Sequence, residues 1–139
     1  MAAVNNKHQF NWPIRVYYED TDAGGVVYHS QYLNFLERAR TEWLRRFGFE
    51  HASLRENEAV IFVVHSINIQ FKKSAKLDDL LTISSQVDKI GRASFEFLQI
   101  ISLNQKILIH AQVKLACVGA ISFKPKPFPK PILLKLQKT

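Results

Sequence analysis

The hydrophobic period of this chain changes once, and that change constrains the fold more than any other feature. From Tyr32 to Phe47 the apolar residues Tyr32, Phe35, Leu36, Ala39, Trp43 and Phe47 recur at helical spacing. Leu33 and Leu44 widen the apolar face, so this helix is expected to be covered on most of its sides. Glu37, Arg38, Arg40, Arg45 and Arg46 take the remaining face. Ser30 is placed to cap the start, and Gly48 to end the helix as a left-handed stop. After residue 60 the period is two. Ser66 to Phe71 alternates cleanly, Leu81 to Val87 roughly, and Ser94 to Phe97 continues the pattern. Ile107 to Cys117 alternates over eleven residues. Asp78-Asp79, Gly91 and Asn104-Gln105 separate these runs as turns.

Pro13 to Glu19, with Ile14, Val16 and two tyrosines, reads as a first strand. Residues 49–58 read as a short helix or a loop. The plan is therefore strand, helix, then four strands joined by hairpin-length links. That is the α+β class with an antiparallel sheet. One long apolar helix beside one sheet implies a five-stranded sheet wrapped around a central helix. With 139 residues and no internal repeat, residues 1–139 are expected to form a single domain. Segments of about 1–11 and 124–139 are expected to be peripheral.

Charge and cysteine content narrow the function classes. The net charge is +7, and much of the excess falls late, at Lys124, Lys126, Lys130, Lys135 and Lys138. A basic surface attracts phosphates, acidic proteins or an anionic membrane face. The stretch from Phe123 to Pro131 is too rich in proline for long regular structure. It reads as a solvated end segment crossing the domain, or as a docking patch for an anionic partner. The single cysteine, Cys117, excludes an internal disulfide and lies in an alternating strand, where a buried, inert thiol is expected. No apolar run reaches the ~18–20 residues of a membrane span, and the first residues lack the apolar core of a secretory signal. These features lead to the expectation of a cytoplasmic protein.

Chemistry concentrates between the first strand and the helix, in Val16-Tyr17-Tyr18-Glu19-Asp20-Thr21-Asp22-Ala23-Gly24-Gly25-Val26-Val27-Tyr28-His29. A calcium loop starting at Asp20 would place Gly24 where a ligand belongs and Gln31 where the bidentate Glu belongs. Zinc needs more His or Cys than His29 supplies, so no metal site is expected. Nucleophile-elbow, phosphate-loop and dinucleotide motifs are all missing. What remains is a carboxylate just ahead of a helix N-terminus. Free N–H groups around Tyr28 to Gln31 can hold a developing oxyanion. Asp22, seven residues before His29, can attack a carbonyl held there or activate water. Gly24 and Gly25 permit the tight backbone that returns the carboxylate to the helix start. The arrangement suits acyl transfer, although Asp20 and Asp22 also fit plain turn or capping roles.

The run Tyr18 to His29, followed by Tyr32-Leu33, Phe35 and Glu37-Arg38-Ala39-Arg40-Thr41-Glu42, closely resembles the hotdog-fold acyl-CoA thioesterases. Within them it is similar to the YbgC branch of the 4-hydroxybenzoyl-CoA thioesterase family, which is associated with the bacterial Tol-Pal system. Val60 to Phe71, Leu77 to Leu80 and Lys124 to Pro131 extend the resemblance. It implies the hotdog fold, an edge-to-edge homodimer pairing into a homotetramer, and active sites at subunit interfaces. Asp22 matches the catalytic carboxylate. His29 matches the helix-start residue whose N–H meets the thioester oxygen, and Tyr18 matches a supporting tyrosine. Gly25 and Tyr28 are expected to shape the substrate site. Glu37 is expected to be a helix salt-bridge residue. The substrate implied is an acyl-CoA or an acyl carrier protein thioester, with coenzyme A as part of substrate and product and no separate cofactor. Lys89, Arg92, Lys72 and Lys73, at strand ends, are candidates to meet its phosphates. The basic tail is a candidate to meet carrier protein or the inner membrane surface. The competing readings are a non-catalytic acyl-CoA or acyl carrier protein binding module and, from charge alone, a nucleic-acid binder, which lacks any recognisable motif.

Overall fold

A computed structural model describes residues 9–137. His8, Lys138 and the first eight residues of the segment expected to be peripheral lie outside the described residues. Five strands form one antiparallel sheet: β1 (Phe10–Arg15), β2 (Val60–Phe71), β3 (Leu80–Ile90), β4 (Ser94–Leu103) and β5 (Lys106–Gly119). Their order across the sheet is β1-β3-β4-β5-β2. Helix α1 (His29–Arg46) lies along one face of it and buries Tyr32, Phe35, Leu36, Ala39, Trp43 and Leu44. A three-residue helix, α2 (His51–Ser53), runs on as a π turn through Leu54–Glu58. Helix α3 (Lys130–Gln137) closes the described chain.

Alternation became burial on β3 and β4, and on β5 from Ile109 onward. Leu81, Ile83 and Val87 point inward with Phe95, Phe97 and Ile101, and so do Ile109, Ala111, Val113, Leu115 and Cys117. Ile107 departs from the expected pattern. A bulge between Ile101 and Ser102 shifts the register, so Leu108 is buried and Ile107 is exposed. The polar residue at an inward place on β3, Ser85, is matched by Gln99 on β4. Gln99 Nε2 donates to Ser85 Oγ (2.9 Å) and to the Leu36 carbonyl of α1 (3.1 Å), and its Oε1 accepts from Arg40 (3.0 Å). This fully satisfied chain ties helix to sheet.

Four expectations are corrected. The first strand begins at Phe10 and ends at Arg15, and Tyr18–Asp20 is a single 3-10 turn. Helix α1 begins at His29, with Tyr28 in the capping place and no side-chain cap, so Ser30 is inside the first turn. The helix is covered on the sheet side only, with Leu33 exposed in this chain. The tail is not merely a solvated strap: Phe128, Ile132 and Leu136 enter the core. Gly48 does end α1 as expected. At φ +88° its N–H donates to the Arg45 carbonyl (2.8 Å) while Phe49 N–H reaches Leu44 (3.3 Å), a Schellman closure.

Candidate active site

The segment before α1 folds back on itself as a short antiparallel ladder. Tyr28 N–H donates to the Asp20 carbonyl (3.1 Å), Thr21 bridges Val27, and Asp22 N–H donates to the Val26 carbonyl (3.0 Å). A β-turn closes it, with Gly25 N–H on the Asp22 carbonyl (3.0 Å). Gly25 holds φ +81°, a conformation that costs other residues. Gly24 serves differently: a Cβ there would sit 3.2 Å from Asp22 Oδ1, in the space the carboxylate uses. Gly24 N–H instead donates to that oxygen (2.8 Å), fixing the side chain as an Asx turn. Oδ2 has no hydrogen-bond partner among the described residues, and the ladder sets Asp22 about two strand residues, roughly 7 Å, from the helix entry.

The two acids that the sequence left equivalent have different jobs. Asp20 is 4% exposed. Its Oδ2 accepts the Tyr17 N–H (2.8 Å) and its Oδ1 accepts Gln31 Nε2 (2.7 Å). It is a structural tie between the turn and the first turn of α1. The Asp22 side chain belongs to an exposed residue and, among the described residues, carries only the Gly24 bond.

At the helix entry Tyr28 N–H is spent on Asp20, and Gln31 N–H turns back to the Tyr28 carbonyl (2.9 Å). With no side-chain cap, the N–H groups of His29 and Ser30 have no capping partner among the described residues. These two donors, at the positive end of an 18-residue helix, can bind a developing oxyanion. The site is thus narrower than the four residues expected from sequence. The His29 ring packs edge-on against Phe71 at the end of β2, with centroids 5.1 Å apart. Tyr28 flanks it at 6.2 Å. Below, Tyr32 Oη accepts the buried Ala75 N–H (2.9 Å), which fixes the β2–β3 link against α1. Burial raises the Tyr32 phenol above its ordinary pKa.

Other predicted residues fall elsewhere. Tyr18 is 82% exposed and directs only its carbonyl, toward the Thr21 N–H and hydroxyl, into the turn. Lys89 lies at the far end of β3 and Arg92 in the turn after it, while the near end of that strand, Leu80, lies beside the site segment, where Val16 N–H donates to the Asp79 carbonyl (2.9 Å). Strand rise puts them roughly 30 Å from Asp22 within one chain. Lys72 and Lys73 are nearer, with both N–H groups on the Leu108 carbonyl (2.8 and 3.1 Å). Glu37 forms no salt bridge among the described residues: its carboxylate accepts from Thr41 Oγ1 (2.6 Å), and Thr41 meets His51 Nε2 (3.2 Å). Because that hydroxyl proton goes to Glu37, His51 must donate from Nε2. Glu37, Thr41 and His51 rim an apolar cleft of about 120 Å³ walled by Trp43, Phe62, Phe95 and Phe97. Burial lowers the pKa of His51 and brings Arg40 down to about 10. Burial lifts the Cys117 thiol to about 11, which fits the expected inert cysteine. Among the described residues there is no cluster of three metal-ligating side chains.

The side chains of Gln31 and Tyr32 were missed as parts of the site, and Phe71, which fits either a pocket lining or the core from sequence, lies beside His29. Their signal was weak, because each also fits a strand or helix periodicity.

A helix laid across an antiparallel sheet in the order β1-β3-β4-β5-β2, with a loop carboxylate at its open N-terminus, is the hotdog thioesterase layout. The fold is similar to that of a probable thioesterase from Bartonella henselae, with a TM-score of 0.83 and 38% identity, covering 87% of this chain and 99% of that one. The model of the thioesterase superfamily matches residues 24–110. The acyl-CoA thioesterase YbgC of Haemophilus influenzae is 48% identical over 88% of this chain and 90% of its own length. The acyl-CoA thioester hydrolase YbgC of Escherichia coli is 42% identical over 96% of this chain and 99% of its own. The chain belongs to the thioesterase superfamily and, within it, to the YbgC acyl-CoA thioesterase family.

Proposed function

We propose that this thioesterase hydrolyses acyl-CoA esters and that Asp22 carries the chemistry. The observation behind this reading is the exposed, glycine-anchored Asp22 carboxylate beside the uncapped N–H groups of His29 and Ser30. The thioester oxygen sits against those donors, which stabilise it as negative charge develops. Asp22 either attacks the carbonyl carbon or takes a proton from the attacking water. The C–S bond then breaks and the thiolate leaves and takes up a proton. On the general-base route the acyl group departs directly as the free acid; on the direct-attack route water first cleaves the acyl–Asp22 anhydride, releasing the acid and restoring the carboxylate. The His29 ring, held by Phe71, forms one wall of the acyl position.

The free edge of β2, which pairs only with β5 among the described strands, supports an edge-to-edge homodimer. Phe71 and Val64 are exposed along that strand. A second copy is also what would bring Lys89 and Arg92 to the phosphates of a coenzyme A bound at this Asp22.

Thiol release from a panel of acyl-CoAs, short to long and aromatic, tests the reading. Turnover on at least one ester is expected, and single-turnover reaction in ¹⁸O-water separates the routes, since only direct attack leaves label in the Asp22 carboxylate. Saturable acyl-CoA binding by folded protein without any turnover would replace this reading with a binding module.

A further inference from the structure

At the end of the sheet opposite Asp22, β5 leaves through a tight turn that exposes two large apolar side chains beside Ser122 and Lys124. Ile121 is 91% exposed and Phe123 66%. The turn is pinned, not loose. Phe123 N–H donates to the Gly119 carbonyl (3.0 Å) and Gly119 N–H to Lys124 (2.9 Å). Lys126 N–H donates to Cys117 (3.0 Å), and Pro125 bridges Val118. Phe123 sits at φ +56°, a left-handed conformation unfavourable for a bulky side chain. The fold therefore holds an aromatic ring outward at a conformational cost. Residues 120–137 contain Lys124, Lys126, Lys130 and Lys135 and no acid. Lys124 and Lys130 are exposed and form no ion pair among the described residues.

We propose that this turn docks the protein on an anionic lipid surface, with Ile121 and Phe123 entering the headgroup boundary and the lysines meeting lipid phosphates. An apolar anchor with a polybasic surround gives the two signals that reversible membrane attachment needs. Each lysine near such a surface contributes about fivefold in partitioning. An acidic protein would be met by the lysines but gives no reason for two protruding apolar side chains at a rigid tip. Gly119 pairs with Val60, ten residues along β5 and eleven along the bulged β2 from the Phe71–Ile109 pair beside the site. Docking therefore leaves the same chain's Asp22 roughly 30 Å from the membrane.

The test is co-sedimentation of the full chain with vesicles of phosphatidylglycerol and phosphatidylethanolamine, against phosphatidylcholine alone. Binding is expected only to the anionic vesicles and should weaken with salt. Lys124→Gln with Lys130→Gln should lower partitioning roughly 25-fold. Ile121→Ser with Phe123→Asn should also release the protein, and Asn tolerates the left-handed backbone, so the fold is kept. Hydrolysis of soluble acyl-CoA should be unchanged in both variants. Equal sedimentation of wild type and variants would overturn the proposal. So would a change of oligomeric state in the apolar variant, or capture of an acidic carrier protein through the lysines without vesicle binding.

Discussion

Asp20→Ala separates the structural acid from the reactive one. The substitution leaves the Tyr17 N–H without its 2.8 Å acceptor and frees Gln31 from its 2.7 Å bond. Hydrogen bonds to a charged group contribute about 1.5–3 kcal/mol each. Gln31 is half-buried and can turn to water, so most of its share is recovered. Removing a buried carboxylate also relieves its desolvation, which offsets part of the loss. The net expectation is destabilisation by about 2 kcal/mol, or roughly 6–12 °C in Tm for a domain of this size. Thermal unfolding followed by circular dichroism reads this directly. The turn that carries Asp22 should loosen as well, so kcat should fall while the helix content holds. A Tm within about 2 °C of wild type would refute the tie assigned to Asp20.

Gly24→Ala should lower kcat about tenfold with little change in Tm, because the new Cβ meets Asp22 Oδ1 at 3.2 Å and displaces a carboxylate whose placement matters; steady-state kinetics with a melting curve checks both halves. Tyr32→Phe strands the buried Ala75 N–H and should cost about 1–3 kcal/mol, measured by urea unfolding. Burial holds the His51 pKa below its ordinary 6.5, so the unfolded chain binds the proton first. The stability tied to neutral His51 is full above about pH 6.5 and is lost as pH falls through the folded value. The urea midpoint should therefore drop between pH 7.5 and 5, and His51→Gln should flatten that drop.

Period alone was enough for α1 and the sheet, because Tyr32 to Leu44 and Ile109 to Cys117 each bury one side of a regular element. Where two neighbours compete, the pattern failed. Sequence pattern starts the first strand at Pro13 and omits Phe10 to Trp12, yet β1 starts at Phe10 as an edge strand that pairs only with β3 among the described strands, where Pro13 is tolerated. Tyr17 and Tyr18 favour strands, but the Asp20 carboxylate caps the Tyr17 N–H and turns the chain. Prolines hid α3, although Pro131 sits in its first turn, where the missing N–H has no intrahelical partner to lose. The site was legible as a segment, not as roles. Asp20 and Asp22 share residue type and neighbourhood, and only the ladder decides which is enclosed. Lys89 and Arg92 read as strand-end cations, and only the length and direction of β3 put them far from Asp22.

The measurement closest to the central claim is kcat for thiol release by Asp22→Asn on the best acyl-CoA substrate, beside its Tm. The side chain keeps its shape and an oxygen for Gly24 N–H, so the fold should melt as wild type does. The account predicts a fall of about 10²-fold or more in kcat with Tm unchanged. A near-normal kcat in that folded variant would contradict it and move the chemistry away from Asp22.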